Sequence, residues 1–296
     1  MSVNPVESSP MKIAHFSDLH YGFSTERDAW VEHRLIQVQR AHPDHLILSG
    51  DLSQSGRADE FRALAAWLCR CGFSTSDRLT VLPGNHDLYN FFFKDFHAGG
   101  DFYRKWRRIP RTAMKIHAYD QPHYEKDLSF FVHNFRNAFH SILTLNDRET
   151  DPYPFIKLLD ERVALIVLDS NRCLPRISRN VFCSNGYVDP GSVERILAQK
   201  ELAGRFKIVA LHHHLLPASV VSRREGRLFG AATRLINRRE LVALLDRIRP
   251  DLVLHGHYHR QEIYQIGRAI PVMNNGDYRK WGLIEITDHV TITTSD

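Results

Sequence analysis

Five short clusters hold most of the residue types that could do chemistry: Asp18-x-His20, Gly50-Asp51, Gly84-Asn85-His86-Asp87, His212-His213-His214 and Gly256-His257-x-His259. Setting His86 aside, they supply seven oxygen or nitrogen donors: Asp18, His20, Asp51, Asn85, His212, His257 and His259. Such a set suits two divalent cations that share one carboxylate. No cysteine lies among them, which argues against a structural thiolate zinc site. In the histidine triplet, His212 directly follows an apolar run and is the preferred donor, with His213 or His214 as the alternative. Two cations roughly 3.5–4 Å apart would neutralise an anionic substrate and lower the pKa of bound water to about 7.

The clusters are useful only if the chain brings them together. Each closes an apolar run that reads as a strand, and amphipathic helices separate the runs. Strands are expected at Met11–Phe16, His45–Leu48, Leu79–Leu82, Val163–Leu168, Ile208–Leu211 and Leu252–Leu254. A helix is expected from about Glu26 to Ala41, capped by Ser24 or Thr25, with Trp30, Val31, Leu35 and Val38 facing inward. Ala58–Arg70 forms a second, with Phe61, Leu64, Ala65 and Leu68 on one face and Gly72 as its stop. A third spans Ser192–Ala203, and a fourth starts at Asn237, with Glu240 at the capping-box position, and runs to Ile248. From Ala269 the pattern changes to an antiparallel set: Pro271–Met273, Leu283–Thr287 and Val290–Thr294. Strand–helix alternation means an α/β protein with a largely parallel sheet, whose ligands bind at the carboxyl ends of the strands. In extended chain, Asp18 and His20 would face one side, as would His257 and His259.

Composition sets the bounds. The chain has 296 residues, 43% hydrophobic and 25% charged, as expected of a globular protein with a sizeable core. No stretch approaches the ~20 apolar residues of a membrane span. The start lacks a basic and an apolar segment, so residues 1–10 read as a disordered leader rather than a signal peptide. Residues 11–296 read as one domain, with residues 89–160 as a mostly helical cap insertion, where Phe131, Phe135 and Phe139 keep helical spacing. Cys69, Cys71, Cys173 and Cys183 read as free thiols of a cytoplasmic chain. The net charge of +5 is uneven: residues 94–115 and 219–239 each carry a local excess of basic side chains. Within 91–111, Lys and Arg interleave with Phe, Tyr and Trp. That pattern suits peripheral contact with anionic lipid at the inner membrane face, single-stranded nucleic acid, or a phosphorylated substrate under a cap, with nucleic acid the less favoured.

The ordered set D-x-H, GD, GNHD, HH and GHxH, each at a strand end, resembles the calcineurin-like metallophosphoesterase superfamily. The resemblance runs from Lys12 to about Gly276, residues 89–160 excepted. It implies a four-layer α/β/β/α sandwich with a helical cap, and a centre of two divalent ions (Mn, Fe or Zn). It also implies roles. Asp18, His20 and His259 hold one ion; Asn85, His212 and His257 hold the other; Asp51 bridges. His86 meets the substrate as the catalytic acid and Asp87 orients it. Purple acid phosphatases carry a tyrosine where this chain has Gln54, and protein serine/threonine phosphatases continue differently after the GD motif. GDLSQ, GNHD and GHxH are most similar to bacterial class III cyclic-nucleotide and glycerophosphodiester phosphodiesterases. The resemblance therefore implies a phosphodiesterase for a small phosphorylated substrate. The alternative is a membrane-associated UDP-diacylglucosamine diphosphatase-like enzyme acting on a lipid-linked nucleotide, a group that also carries an aromatic, basic insertion. His15 and His255 are expected to support the ligands, and His33, His42, His45 and His117 to lie on the surface.

Overall fold

A computed structural model describes residues 9–88, 133–143, 153–171, 185–287 and 289–295. The chain begins with β1 (Met11–Phe16), α1 (Thr25–Arg40), β2 (His45–Ser49), α2 (Ala58–Arg70), β3 (Leu79–Leu82) and the short α3 (Asn85–Leu88). After α4 (His140–Leu143) come β4 (Phe155–Leu158), β5 (Val163–Val167), α5 (Pro190–Leu197) and β6 (Phe206–Ala210). Helices α6 (Ala218–Glu225), α7 (Arg227–Ala232) and α8 (Arg238–Ile248) precede β7 (Leu252–His255), β8 (Gln261–Ile266), β9 (Ile270–Asn275), β10 (Gly282–Ile286) and β11 (Val290–Thr294).

The strands form two sheets, ordered β11-β10-β1-β2-β3 and β4-β5-β6-β7-β9-β8. Each sheet has a parallel centre, β1-β2-β3 in one and β5-β6-β7-β9 in the other, flanked by antiparallel strands. Alternation of side chains along each strand fills both faces. On β1, Ala14 and Phe16 pack with Val31, Leu35 and Val38 of α1 and with Phe61 and Leu64 of α2. Met11 and Ile13 point the other way and meet Leu165, Ile208 and Leu254 of the second sheet. The outer face of that sheet packs Val209 and Val253 against Val193 of α5 and Leu241 of α8. The layers are therefore α/β/β/α, as expected. Lys157 of β4 reaches across the sheet edge to the Leu79 carbonyl and the Thr80 hydroxyl of β3.

Local chemistry sets most of the boundaries. Ser24 Oγ accepts the Arg27 N–H and starts α1. Asp189 does the same for α5 through Ser192, with Pro190 in the first turn. Several expectations differ. Trp30 is 38% exposed, because α1 offers the sheet only the stripe of Val31, Leu35 and Val38. The helix expected at Ser192–Ala203 ends at Leu197 and is followed by a separate 3₁₀ turn at Lys200–Leu202. Asn237 does not cap α8 with its side chain, which instead pairs with both backbone polar groups of Val188. Residues 155–158, placed inside the cap, form an edge strand of the second sheet. The tail strands are divided between the sheets, and β8 was not foreseen because its residues alternate weakly in burial. His45 is buried rather than on the surface, held by the Asp77 carbonyl and Thr80 Oγ1. Most of the cap insertion, with Phe131, Cys173, Cys183 and His117, lies outside the described residues, as do residues 1–8. Phe135 and Phe139 pack edge-on against Phe61, at ring separations of 5.7 and 5.9 Å. No helix among the described residues is long and apolar enough to cross a membrane.

The two aromatic positions make opposite predictions. Phe61→Ala removes a fully buried ring and should lower the unfolding free energy by about 3–5 kcal/mol. Trp30→Ala should cost about 1 kcal/mol or less. Urea denaturation followed by circular dichroism measures both.

Candidate metal centre

Seven donors converge where the carboxyl ends of both sheets meet. Donor atoms of Asp18, His20, Asp51 and His259 lie within 4.8 Å of one another, and those of Asp51, His212 and His257 form a second such group. Asp51 alone belongs to both. Asn85 joins the second group through Oδ1, 3.2 Å from His212 Nε2. His212 Nε2 stands 3.4 Å from Asp51 Oδ1, His20 Nε2 3.7 Å from Asp51 Oδ2, and His259 Nε2 3.3 Å from Asp18 Oδ1. The expected donors are thus brought together, with the expected residue between the two groups.

Turn geometry does the positioning, not the strand pleat. Asp18, His20, Asp51, His257 and His259 have φ values of 55°, 45°, 49°, 69° and 43°. Non-glycine residues avoid this left-handed region, and five of them in one site mark backbone strain at a place the surrounding structure enforces. The pairs at i and i+2 therefore face each other because both residues turn sharply after their strand ends. The glycines of the motifs have a steric reason. A Cβ at Gly84 would overlap Asp51, and one at Gly256 would overlap Ser17 and Asp18. Only bare backbone lets the loops approach so closely.

Hydrogen bonds fix each ring. His212 Nδ1 faces the Ser49 carbonyl at 2.9 Å, and His257 Nε2 faces the Thr233 carbonyl at 3.1 Å. Each carbonyl takes the N–H of one ring nitrogen and leaves the other for a cation, an arrangement usual around metal-binding histidines. Asp18 accepts from the His257 N–H and from Ser17 Oγ. His213 turns to Ser170, 2.9 Å from its hydroxyl, so it is His212 that enters the centre. His15 binds Ser49 Oγ and His255 the Tyr264 hydroxyl. Neither the Ser17 hydroxyl nor the two carbonyls had a signal in the sequence, since any residue can present a carbonyl.

His86 lies beside the centre, its ring 4.6 Å from that of His20. One expectation needs correcting. The Asp87 carboxylate accepts from Leu52 N, Ser53 N, Ser53 Oγ and Gly84 N, and so ties the GD and GNHD loops together. Its four hydrogen bonds are spent there, and His86 Nδ1 is met by the Gln54 carbonyl at 3.0 Å. Asp87, expected to orient the His86 ring, instead positions the two loops.

The electrostatics follow from burial. Burial alone would raise the Asp51 carboxyl, yet His212, His86 and His20 hold it well below the usual carboxylate range. Burial would lower His212, but Asp51 pushes it up to about 9. His20 and His257 are held well below the ordinary histidine range, by burial first and by neighbouring histidines second. Buried anionic and neutral O/N donors in two overlapping groups fit two divalent cations and leave no role for a soft thiolate-binding ion.

Residues 11–261 match the model of the calcineurin-like phosphoesterase family. No curated protein matches the chain by sequence comparison. Among solved structures, a dimetal phosphatase from Danio rerio aligns with a TM-score of 0.58 at 10% identity, over 97% of this chain and 96% of that one. A purple acid phosphatase from yellow lupin gives 0.60 at 11% identity, over 99% of this chain but 52% of the lupin protein. A phosphopantetheinyl hydrolase from Mycobacterium tuberculosis gives 0.50 at 14% identity, over 93% and 92%. At these identities the likeness is one of fold.

Metal analysis tests the centre. Asp51→Asn should lower the occupancy of both ions, and His20→Ala that of one, as read by elemental analysis after dialysis against Mn²⁺. Because His212 is pushed up to about 9, it holds a proton near neutrality that a cation must displace, and His259 is shifted in the same direction. Apparent affinity should therefore rise with pH, and calorimetry in buffers of different ionisation enthalpy should register proton release.

Proposed function

Because the chain belongs to the calcineurin-like phosphoesterase family, we propose that it is a two-metal phosphodiesterase acting on a small diester such as a cyclic nucleotide. The observation that carries this reading is the convergence of the seven donors around Asp51 with His86 at their edge. The preference for a diester rests on the GDLSQ, GNHD and GHxH motifs. On this reading Asp18, His20 and His259 hold one cation, Asn85, His212 and His257 the other, and Asp51 both. When bound, the cations supply charge neutralisation at the phosphate and a coordinated water of lowered pKa.

The chain's own groups do the rest. The Gln54 carbonyl accepts a hydrogen bond from His86 Nδ1–H and leaves Nε2 as the atom that can hold a proton for the departing oxygen. The His86 N–H donates to Asp51 Oδ1 at 2.8 Å, which ties the acid's backbone to the shared carboxylate. Asp87 binds the two loops that carry Asp51 and His86, so both move as one piece. The Ser49 and Thr233 carbonyls set the tautomers of His212 and His257. A cytoplasmic setting and contact of residues 91–111 with anionic lipid remain part of this proposal, the latter resting on the aromatic and basic sequence alone.

The test compares an aryl phosphodiester with the matching monoester, using metal-stripped protein resupplied with Mn²⁺. A metal-dependent preference for the diester is expected. His86→Ala should lower kcat by about 10²–10⁴ while leaving metal content unchanged. Equal rates for His86→Ala and wild type would remove the acid role, and a monoester preference would remove the diesterase reading.

A further inference from the structure

The turn that fixes the His86 ring is buried, although it lies outside the strands and helices. Leu52, Ser53, Gln54, Ser55 and Gly56 are all shielded from solvent. Buried backbone polar groups must find partners, and this turn draws them from four sides. The Gln54 N–H donates to the Tyr21 carbonyl in the loop after β1. Asp87 takes the Ser53 N–H and hydroxyl, and Ser53 Oγ takes the Gly56 N–H. Glu60 of α2 takes the Ser55 N–H and hydroxyl. The fourth anchor comes from the segment between β3 and β4, where Asn134 Nδ2 donates to the Gly56 carbonyl at 3.0 Å.

Three of these anchors belong to the loops and helix around the centre. Asn134 does not. It stands 78 residues from Gly56 in sequence and is only 9% exposed. Its neighbours Phe135 and Phe139 pack against Phe61 of α2. A buried amide destabilises such an apolar face unless it is hydrogen-bonded, and leucine, of similar size, would fill the same place. Packing therefore accounts for the two phenylalanines, while the amide adds a hold on one carbonyl. That carbonyl closes the turn whose Gln54 carbonyl meets His86 Nδ1 at 3.0 Å. The line of contact runs from Asn134 through the Ser53–Gly56 turn to the His86 ring.

We propose that Asn134 is a positioning residue for His86: by holding the Gly56 carbonyl it keeps the Gln54 carbonyl where it fixes the ring and leaves Nε2 for the departing oxygen. The inference rests on the reading of His86 as the acid and deepens it. Asn134 itself touches neither substrate nor cation. Without its donor the Gly56 carbonyl turns toward another partner, the turn relaxes, and the ring rotates or moves its proton between the two nitrogens. Proton delivery suffers while phosphate and cations bind as before. The loss falls on kcat, and only where the leaving oxygen needs a proton.

The experiment compares diphenyl phosphate, whose phenolate leaves poorly, with bis(4-nitrophenyl) phosphate, whose nitrophenolate leaves readily. The Mn²⁺-loaded proteins are wild type, Asn134→Leu, Asn134→Gln, His86→Ala and the double variant of Asn134→Leu with His86→Ala. A positioned acid contributes about 10²–10⁴-fold, so Asn134→Leu should lower kcat for the diphenyl ester about tenfold and leave the nitrophenyl ester and both KM values within about threefold. Asn134→Gln, which keeps an amide donor, should recover part of the loss. On top of His86→Ala, Asn134→Leu should add nothing, because it acts through that ring. Equal losses on the two esters, a further loss in the double variant, or no loss at all would each overturn the proposal. Nitrogen NMR of the His86 ring in Zn²⁺-loaded protein gives a readout independent of turnover, with one tautomer expected in wild type and both in Asn134→Leu. If His86→Ala loses nothing, or neither ester is hydrolysed, the acid or the diesterase reading fails by itself. The NMR comparison then decides the hold on His86: a mixed ring in Asn134→Leu sustains it, and an unchanged ring overturns it.

Discussion

Two carboxylates, Asp18 and Asp51, are each about 1% exposed, and the rest of the architecture answers to that burial. An ionised carboxylate taken from water must find donors or cations in return. Asp18 receives the His257 N–H, the Ser17 hydroxyl and the His259 ring. Asp51 receives the His86 N–H and stands between His20 and His212. Those compensating groups come from four loops at strand ends, two of them turned through left-handed residues. The bare glycines before Asp51, Asn85 and His257 make room for the loops to close in. Helices, sheets and the three apolar layers hold the loops in register.

The order of the motifs made much of this readable. Strand ends that finish in Asp, His or Asn can be found from apolar runs, and the positions of Asp18, Asp51, Asn85, His212 and His257 follow from them. Their convergence does not. A single-sheet reading of the alternation also explains the runs, whereas the observed centre needs two sheets meeting at their carboxyl ends. Pairs at i and i+2 were read as extended chain, and the structure reaches the same juxtaposition through left-handed turns. Asp87 shows a harder limit. Its neighbour in sequence is His86, but its partners include main-chain N–H groups of Leu52 and Ser53 some 35 residues away, and such donors have no sequence signature. Trp30 and His45 failed for the opposite reason. Amphipathic spacing fixes a face only to within a residue, and a histidine can enter a core when both ring nitrogens find partners, as His45 does.

The approach of the Arg27 guanidinium to the Phe23 and Tyr278 rings, 4.6 and 4.1 Å from their centroids, was invisible in the sequence as well. Phe23 and Tyr278 are separated by most of the chain, and neither belongs to a motif. What joins them is the fold, which brings the turn after β1 to the loop between β9 and β10.

The centre is also divided along the chain. Asp18, His20, Asp51 and Asn85 belong to the first sheet and its loops, while His212, His257 and His259 belong to the second. The contact between Asp18 and the His257 backbone spans 239 residues. During synthesis, a growing chain therefore presents unmatched carboxylates for most of the time it takes to translate the protein. On the proposed assignment, one donor set is complete only when His257 has left the ribosome and the other only when His259 has. A chain cut short of these histidines therefore keeps the buried carboxylates but lacks the donors that complete either group.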